Sequence, residues 1–156
     1  DRKRINDIFT VRKKGLGLLL GVKGNRKPIA FIEDSAVPLE HLADYIKEVF
    51  QVCKKYDTHV VAYAHASVGL LHVKPLLDLR DEMDIKRMEQ ISLETLELVK
   101  KYKGSWSGEH GDGLARSPYN ESFFGKKLYQ IFKQVKYVFD PYHILNPGKI
   151  VDAPPV

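Results

Sequence analysis

The chain has 156 residues, of which 44% are hydrophobic and 29% are charged, a balance typical of one soluble domain long enough to bury a core. The single cysteine, Cys53, excludes a disulfide framework or a cysteine-rich metal or iron–sulfur site within these residues, and we expect it to be buried in a helix. The net charge of +5 is scattered, no apolar run could span a bilayer and no signal peptide opens the sequence, so we expect a cytoplasmic protein without a nucleic-acid partner or a transmembrane segment.

The first 25 residues fit either a helix or a loop. Within them, GLGLLLG at 15 to 21 resembles a phosphate-binding loop only loosely, because it lacks the third glycine of a dinucleotide-binding fingerprint and no clear strand precedes it. The pattern therefore gives no support for a nucleotide site in this chain.

The rest of the chain alternates strands and helices. Segments rich in Val, Ile and aromatic residues predict strands at 27 to 34 and 58 to 65. Apolar residues at steps of three and four predict helices at 38 to 56, 81 to 103 and 121 to 139. We predict an α+β fold, with a small, mainly antiparallel sheet that carries helices on one face.

The sequence HASVGLLH, residues 65 to 72, can bring two histidines together in a hairpin. A two-residue turn at Val68 and Gly69 would pair His65 directly with His72. Directly opposed residues have Cβ atoms about 5 Å apart, a separation that suits two nitrogen ligands of one metal ion. The same residues also fit two hydrogen-bonded structural histidines, because Val-Gly is a weaker turn signal than Asn-Gly.

The sequence SGEHGDGLARS, residues 107 to 117, sets Glu109 and His110 between glycines. Glycine lets a ligand approach the backbone closely, although Gly-Asp-Gly is also ordinary turn chemistry. Two histidines and one carboxylate form a common ligand set for Zn²⁺, Fe²⁺ or Mn²⁺ with positions open to substrate. Adjacent side chains point in different directions, so Glu109 can bind a metal ion while His110 faces the reactants.

Three ordered motifs, HASVGLLH, SGEHGDGLARS and FDPYHILNPGKIV, resemble the C-terminal portion of FAD-linked oxidases of the vanillyl-alcohol oxidase type. That family includes glycolate oxidase subunits, D-lactate dehydrogenases and D-2-hydroxyglutarate dehydrogenases. The motifs GEHGDGLAR and NPGKIVDAPP are most similar to long bacterial members in which an iron–sulfur region follows. The resemblance implies that residues 1–152 are a ferredoxin-like cap or substrate domain from a longer chain and that 153–156 are a linker. An N-terminal domain outside this chain would then bind most of the FAD.

The resemblance also implies roles for single residues. His65, His72 and Glu109 match the ligands of a divalent metal ion, for which Zn²⁺ is the expected identity. His110 matches the base that takes the substrate's hydroxyl proton while hydride passes from C2 to the flavin. The chain departs from the family pattern H-x-G-D-G-N-x-H between the two histidines, where Ser67, Val68 and Leu70 replace Gly, Asp and Asn.

Three further residues are predicted to bind substrate or cofactor. Arg12 matches an arginine that grips a substrate carboxylate in similar enzymes. Lys74 lies two residues beyond His72, so in a strand it projects from the same face, toward the metal ligands. Asn146 matches a position near the flavin. Each of the two cations also fits a solvated surface charge.

The sequence thus predicts part of an FAD-dependent enzyme that oxidises a D-2-hydroxy acid of the D-lactate, glycolate or D-2-hydroxyglutarate class. We expect the fragment to be inactive alone. The alternative is a non-catalytic, ferredoxin-like regulatory or interaction domain with structural histidines. Convergence of His65, His72 and Glu109 on one point would favour the enzyme, and divergence would favour the interaction domain.

Overall fold

The computed structural model describes the backbone of residues 1–156 and every side chain except those of residues 16 and 18–20. The helices are α1 (Arg2–Leu20), α2 (Leu42–Lys55), α3 (Glu82–Lys101), α4 (Gly113–Arg116), α5 (Asn120–Phe124) and α6 (Lys126–Phe139). The strands are β1 (Lys27–Pro28), β2 (Ser35–Ala36), β3 (Val60–His65) and β4 (Leu70–Leu77). The predicted α+β class is confirmed. None of the described helices is both long enough and apolar enough to cross a membrane.

Strand β4 is the centre of the sheet and pairs antiparallel with each of the other strands. Strand β3 runs along one edge of β4, and the short strands β1 and β2 share the opposite edge. The strand predicted at 27 to 34 is only partly correct, because the chain leaves the sheet after Pro28 and returns at Ser35. Asp34 has a φ of 76°, a left-handed backbone conformation that interrupts an extended strand.

The predicted two-residue hairpin turn is wrong. A short 3₁₀ turn, Ala66–Val68, and the left-handed Gly69 connect the strands, so His65 lies opposite Leu70 and His72 lies opposite Tyr63. The register differs from the prediction by two residues, and an even shift leaves both histidines on the same face of the sheet. A side chain at position 69 would collide with the backbone of Val37, because its Cβ would lie 1.9 Å from the carbonyl oxygen.

The two faces of the sheet have different roles. Leu71, Val73 and Leu77 of β4 are buried in the core, which also contains the apolar sides of α2 and α3. Alternate residues on the other face include His72 and Lys74, and this face lies next to α1. The sheet therefore separates a hydrophobic core from a polar surface that can form a site.

The predicted helices agree with the structure with one exception. Helix α2 buries Tyr45, Val49 and Cys53 on one face, and α3 begins after Asp81, whose side chain accepts a hydrogen bond from the backbone N–H of Met83 at 2.9 Å. The single helix predicted at 121 to 139 is two helices, because Gly125 has a φ of 80° between α5 and α6.

Candidate functional site

A cavity of about 620 Å³ lies between α1 and the polar face of the sheet. Five of the predicted site residues line it: Arg12, His65, His72, Glu109 and His110. These residues come from helix α1, the two hairpin strands and the glycine-rich turn. The fold thus collects in one cavity residues that are up to 98 positions apart, from Arg12 to His110.

Glu109 lies next to both histidines of the predicted metal site. Glu109 Oε1 lies 3.0 Å from His72 Nε2 and 3.3 Å from His65 Nε2. It also lies 3.4 Å from His110 Nε2. Zinc ligands at about 2.1 Å from a tetrahedral ion are about 3.4 Å from each other, so each imidazole nitrogen has the spacing from Glu109 Oε1 of a pair that shares one ion. The group of ligand atoms that all lie within 4.8 Å of one another contains His72, Glu109 and His110 but not His65. Two imidazoles and one carboxylate are also a donor set that suits Zn²⁺ and leaves a coordination position open.

His72 is the buried member of this set. Its side chain is 1% exposed, whereas the side chains of His65, Glu109 and His110 are 40–45% exposed. Burial lowers the pKa of His72 below its ordinary value, which favours the neutral imidazole that binds metal ions. The site therefore has one fixed ligand in the sheet and an exposed rim that faces the cavity.

Asp34 holds the turn that carries Glu109 and His110. Its carboxylate is fully buried and accepts hydrogen bonds from Ser107 Oγ (2.8 Å) and from the backbone N–H groups of Gly108 (3.1 Å), Glu109 (2.8 Å) and His110 (2.9 Å). Burial alone would raise the pKa of Asp34, but these hydrogen bonds outweigh it and keep the pKa below its ordinary value. One carboxylate thus fixes the backbone of both functional residues of the turn.

A second group, Arg116, links Asp34 to the neighbouring backbone. The Arg116 side chain is 6% exposed and one of its nitrogens lies 3.4 Å from Asp34 Oδ2. Its guanidinium also donates to the carbonyl oxygens of Glu33 and Gly111. The oxygens of Asp34 lie close enough to His72, Glu109 and His110 to suggest a metal ligand. Oδ2 already accepts three hydrogen bonds from the turn, whereas Oδ1 accepts one, from the backbone N–H of Glu109.

Glu33 makes contact with three residues of the site. Its Oε1 lies 3.0 Å from His110 Nδ1, and its Oε2 lies 3.5 Å from Lys74 Nζ and 4.0 Å from His72 Nδ1. Lys74 projects from the same face as His72, as predicted, and it is 14% exposed because it packs against Glu33. Glu33, Asp34 and Arg116 are site residues that the sequence patterns did not predict. The adjacent acids in FIED and the arginine in GLAR were the available signals.

Arg12 reaches the site from α1. One guanidinium nitrogen lies 3.3 Å from His65 Nδ1, and the guanidinium carbon lies 5.3 Å from the centre of the Tyr63 ring. The structure therefore brings Arg12 to the rim of the cavity. A guanidinium only donates hydrogen bonds, so this contact places the proton of a neutral His65 on Nε2, and His65 would bind a metal ion through Nε2 only after the contact is released.

Asn146, the predicted flavin neighbour, lies elsewhere. It is exposed, has a φ of 46° and lines a separate cavity of about 480 Å³ beside Phe132 and Leu145. Its role toward a flavin stays a prediction, as does the linker at residues 153–156.

Comparison with known proteins supplies a family. Residues 1–150 match the family described as FAD linked oxidases, C-terminal domain. The D-2-hydroxyglutarate dehydrogenase of Haemophilus influenzae is 45% identical over 150 residues, which are 96% of this chain and 14% of that protein. The enzyme of the same name from Escherichia coli is 43% identical over 155 residues, covering 96% of this chain and 15% of that protein. The D-lactate dehydrogenase of Archaeoglobus fulgidus is 32% identical over 151 residues, which cover 93% of this chain and 33% of that protein.

The chain spans about one seventh of the length of the two D-2-hydroxyglutarate dehydrogenases. The family match covers the hairpin that carries both histidines, the turn with Glu109 and His110, and Arg12 on α1. The resemblance expected from the three motifs is confirmed. This chain belongs to the family of the FAD-linked oxidases and corresponds to their C-terminal domain.

Proposed function

We propose that this chain is the substrate-binding C-terminal domain of an FAD-dependent dehydrogenase that oxidises a D-2-hydroxy acid to the 2-oxo acid. The observation that carries the proposal is the convergence of His65, His72 and His110 on Glu109 in a cavity that Arg12 also lines. The names of the relatives indicate the substrate class, which comprises D-lactate, glycolate and D-2-hydroxyglutarate. Convergence of the ligands favours this function over an interaction domain with structural histidines.

His65, His72 and Glu109 would hold a divalent cation, and their nitrogen and oxygen donors suit Zn²⁺. FAD would be held mostly by an N-terminal domain outside this chain, with Asn146 near the flavin. An iron–sulfur cluster elsewhere in the complete protein belongs to the same proposal. When bound, FAD supplies the hydride acceptor and the cation supplies a Lewis acid that lowers the pKa of the substrate hydroxyl.

The residues of this chain bind the acid and move its proton. The planar guanidinium of Arg12 can donate two parallel hydrogen bonds to the C1 carboxylate, and so orient C2. His110 Nε2 faces Glu109 across 3.4 Å, so a hydroxyl group held at the metal ligands lies within its reach. His110 takes the hydroxyl proton while the C2 hydrogen leaves as hydride, which converts the alcohol carbon to a carbonyl.

The test is flavin reduction by the complete, flavin-loaded protein, measured with a panel of D-2-hydroxy acids. We expect at least one acid to reduce the flavin and to yield its 2-oxo acid. His110→Ala should slow that reduction by about 10² to 10⁴, the usual contribution of a positioned base. His59→Ala, which removes an exposed imidazole outside the cavity, is the matched control and should keep the wild-type rate. Failure of every acid, or a wild-type rate for His110→Ala, would contradict the proposal.

A further inference from the structure

The Glu33 carboxylate contacts the proposed base, His110, on the side of the ring away from Glu109. Its side chain is 12% exposed, and its Oε1 lies 3.0 Å from His110 Nδ1, the ring nitrogen that does not face Glu109. A carboxylate accepts hydrogen bonds and does not donate them when ionised, so this contact requires a proton on Nδ1. In a neutral imidazole the other nitrogen, Nε2, is then the free acceptor.

The second oxygen of Glu33 faces the proposed metal ligand His72. Glu33 Oε2 and His72 Nδ1 are both buried, and neither has a hydrogen-bond partner within the described part of the chain. They lie 4.0 Å apart, an acceptor facing a nitrogen that must carry the proton if Nε2 is to bind a metal ion. Lys74 Nζ, 3.5 Å from the same oxygen, supplies a positive charge beside the carboxylate.

The backbone of Glu33 is held by Arg116 and lies next to Asp34, the residue that binds the turn. Its carbonyl oxygen accepts a hydrogen bond from Arg116, and the next residue, Asp34, binds the backbone of His110. The backbones of Glu33 and His110 are therefore held by two neighbouring groups, and the Glu33 carboxylate contacts the base directly.

We propose that Glu33 is a positioning residue for two imidazoles. It holds the proton of His110 on Nδ1 so that Nε2 accepts the substrate's proton, and it orients His72 so that Nε2 faces the metal position. The proposal rests on the proposed function for its effect on the reaction. Its effect on metal binding is independent of that function.

The experiment compares three variants of the complete protein. Glu33→Leu removes the acceptor, Glu33→Gln retains one acceptor oxygen, and Glu48→Leu is the control. Glu48 is a half-buried carboxylate on α2, away from the cavity. It pairs with Lys101 at the end of α3 and with the adjacent Tyr102. Flavin reduction, KM, flavin content and Zn²⁺ affinity by chelator competition are measured for each.

We expect Glu33→Leu to lower the rate of flavin reduction and the Zn²⁺ affinity by about 10- to 100-fold each, the usual loss when the partner of a functional histidine is removed. KM should change little, because Arg12 still binds the substrate. Glu33→Gln should recover most of the rate, and Glu48→Leu should resemble the wild type. At saturating Zn²⁺ in a His110→Ala background, Glu33→Leu should cause little further loss of rate, since its remaining effect acts through that imidazole.

Two results would overturn the inference. One is a wild-type rate and Zn²⁺ affinity in Glu33→Leu, when His110→Ala in the same assay is slow. The other is a loss of rate in Glu33→Leu that Glu33→Gln does not rescue and that persists in the His110→Ala background. If that loss also follows loss of bound flavin, Glu33 has a purely structural role. Absence of activity toward every D-2-hydroxy acid in the wild type would instead contradict the proposed function, and the Zn²⁺ affinities would still test Glu33.

Discussion

The turn from Ser107 to His110 has two sides of opposite character. On the inner side, the Asp34 carboxylate is fully buried and accepts hydrogen bonds from four donors of the turn. On the outer side, the Glu109 carboxylate is 43% exposed and faces three imidazole nitrogens. The inner carboxylate binds the backbone of the turn, whereas the Glu109 carboxylate is directed into a cavity. The comparison indicates that a fixed backbone allows exposed side chains to keep a defined geometry.

Asp34→Asn tests the inner side and should have the largest effect. An amide NH₂ would face the N–H donors of the turn, and the buried Arg116 would lose its counter-charge. We expect the free energy of unfolding to fall by about 3–5 kcal/mol, the cost of removing one partner of a buried charged pair. Urea unfolding followed by the fluorescence of the single, buried Trp106 would measure the loss.

The matched control is Glu109→Gln, the same chemical change on the exposed side. We expect it to change the free energy of unfolding by no more than about 1 kcal/mol, because exposed ion pairs contribute little. Similar losses in the two variants would contradict the contrast between the two sides.

The acid dependence of stability sharpens the same contrast. The pKa of Asp34 lies below its ordinary value of 3.8, because hydrogen bonds from the turn outweigh the effect of burial. The unfolded chain therefore binds this proton first as the pH falls. The stability that Asp34 contributes is complete above about pH 3.8 and is lost as the pH falls through its lower folded pKa. Asp34→Asn should remove this component from the pH dependence of unfolding.

The outer side was more predictable from the sequence than the inner side. Alternation along the strand put His72 and Lys74 on one face, and His65 joined them although the predicted register was wrong, because the error was an even number of residues. Helices α2 and α3 followed from their apolar periodicity. These are local patterns, and local spacing is what a sequence displays directly.

The inner side depends on contacts that local spacing cannot display. Asp34 binds the turn across 73 to 76 residues of sequence, and it sits at the end of a segment that reads as a strand. Nothing in the pattern FIED distinguishes an anchor from a solvated acid, and the left-handed backbone of Asp34 is not visible in the residue type. Helix α1 was ambiguous for a related reason, since most of its described side chains are exposed and no acidic residue lies in its first turn.

Smaller effects on catalysis are expected for Arg12 and Lys74, the two cations predicted to bind substrate, and they depend on the substrate. Arg12→Ala should lower kcat/KM for every 2-hydroxy acid by about 10- to 100-fold, because it removes a charged hydrogen bond to the carboxylate that all of them share. Lys74→Ala should mainly affect dicarboxylic acids such as D-2-hydroxyglutarate, and by less, because Lys74 is already paired with Glu33.

Steady-state kinetics of the complete protein with D-lactate and D-2-hydroxyglutarate would measure both effects. Equal losses on the two acids for Lys74→Ala would exclude a role in binding a distal carboxylate. Unaltered kinetics for Arg12→Ala would show that Arg12 contacts His65 but does not bind the substrate.

If His65, His72 and Glu109 form one metal site, the metal content of the complete protein depends on these three residues. Elemental analysis should find about one Zn²⁺ per chain in the wild type and in the control variant His59→Ala. The double variant His65→Ala/His72→Ala should retain almost none, because it removes both imidazole ligands of the proposed set. Unchanged metal content in the double variant would contradict the account, since the ion would then bind elsewhere.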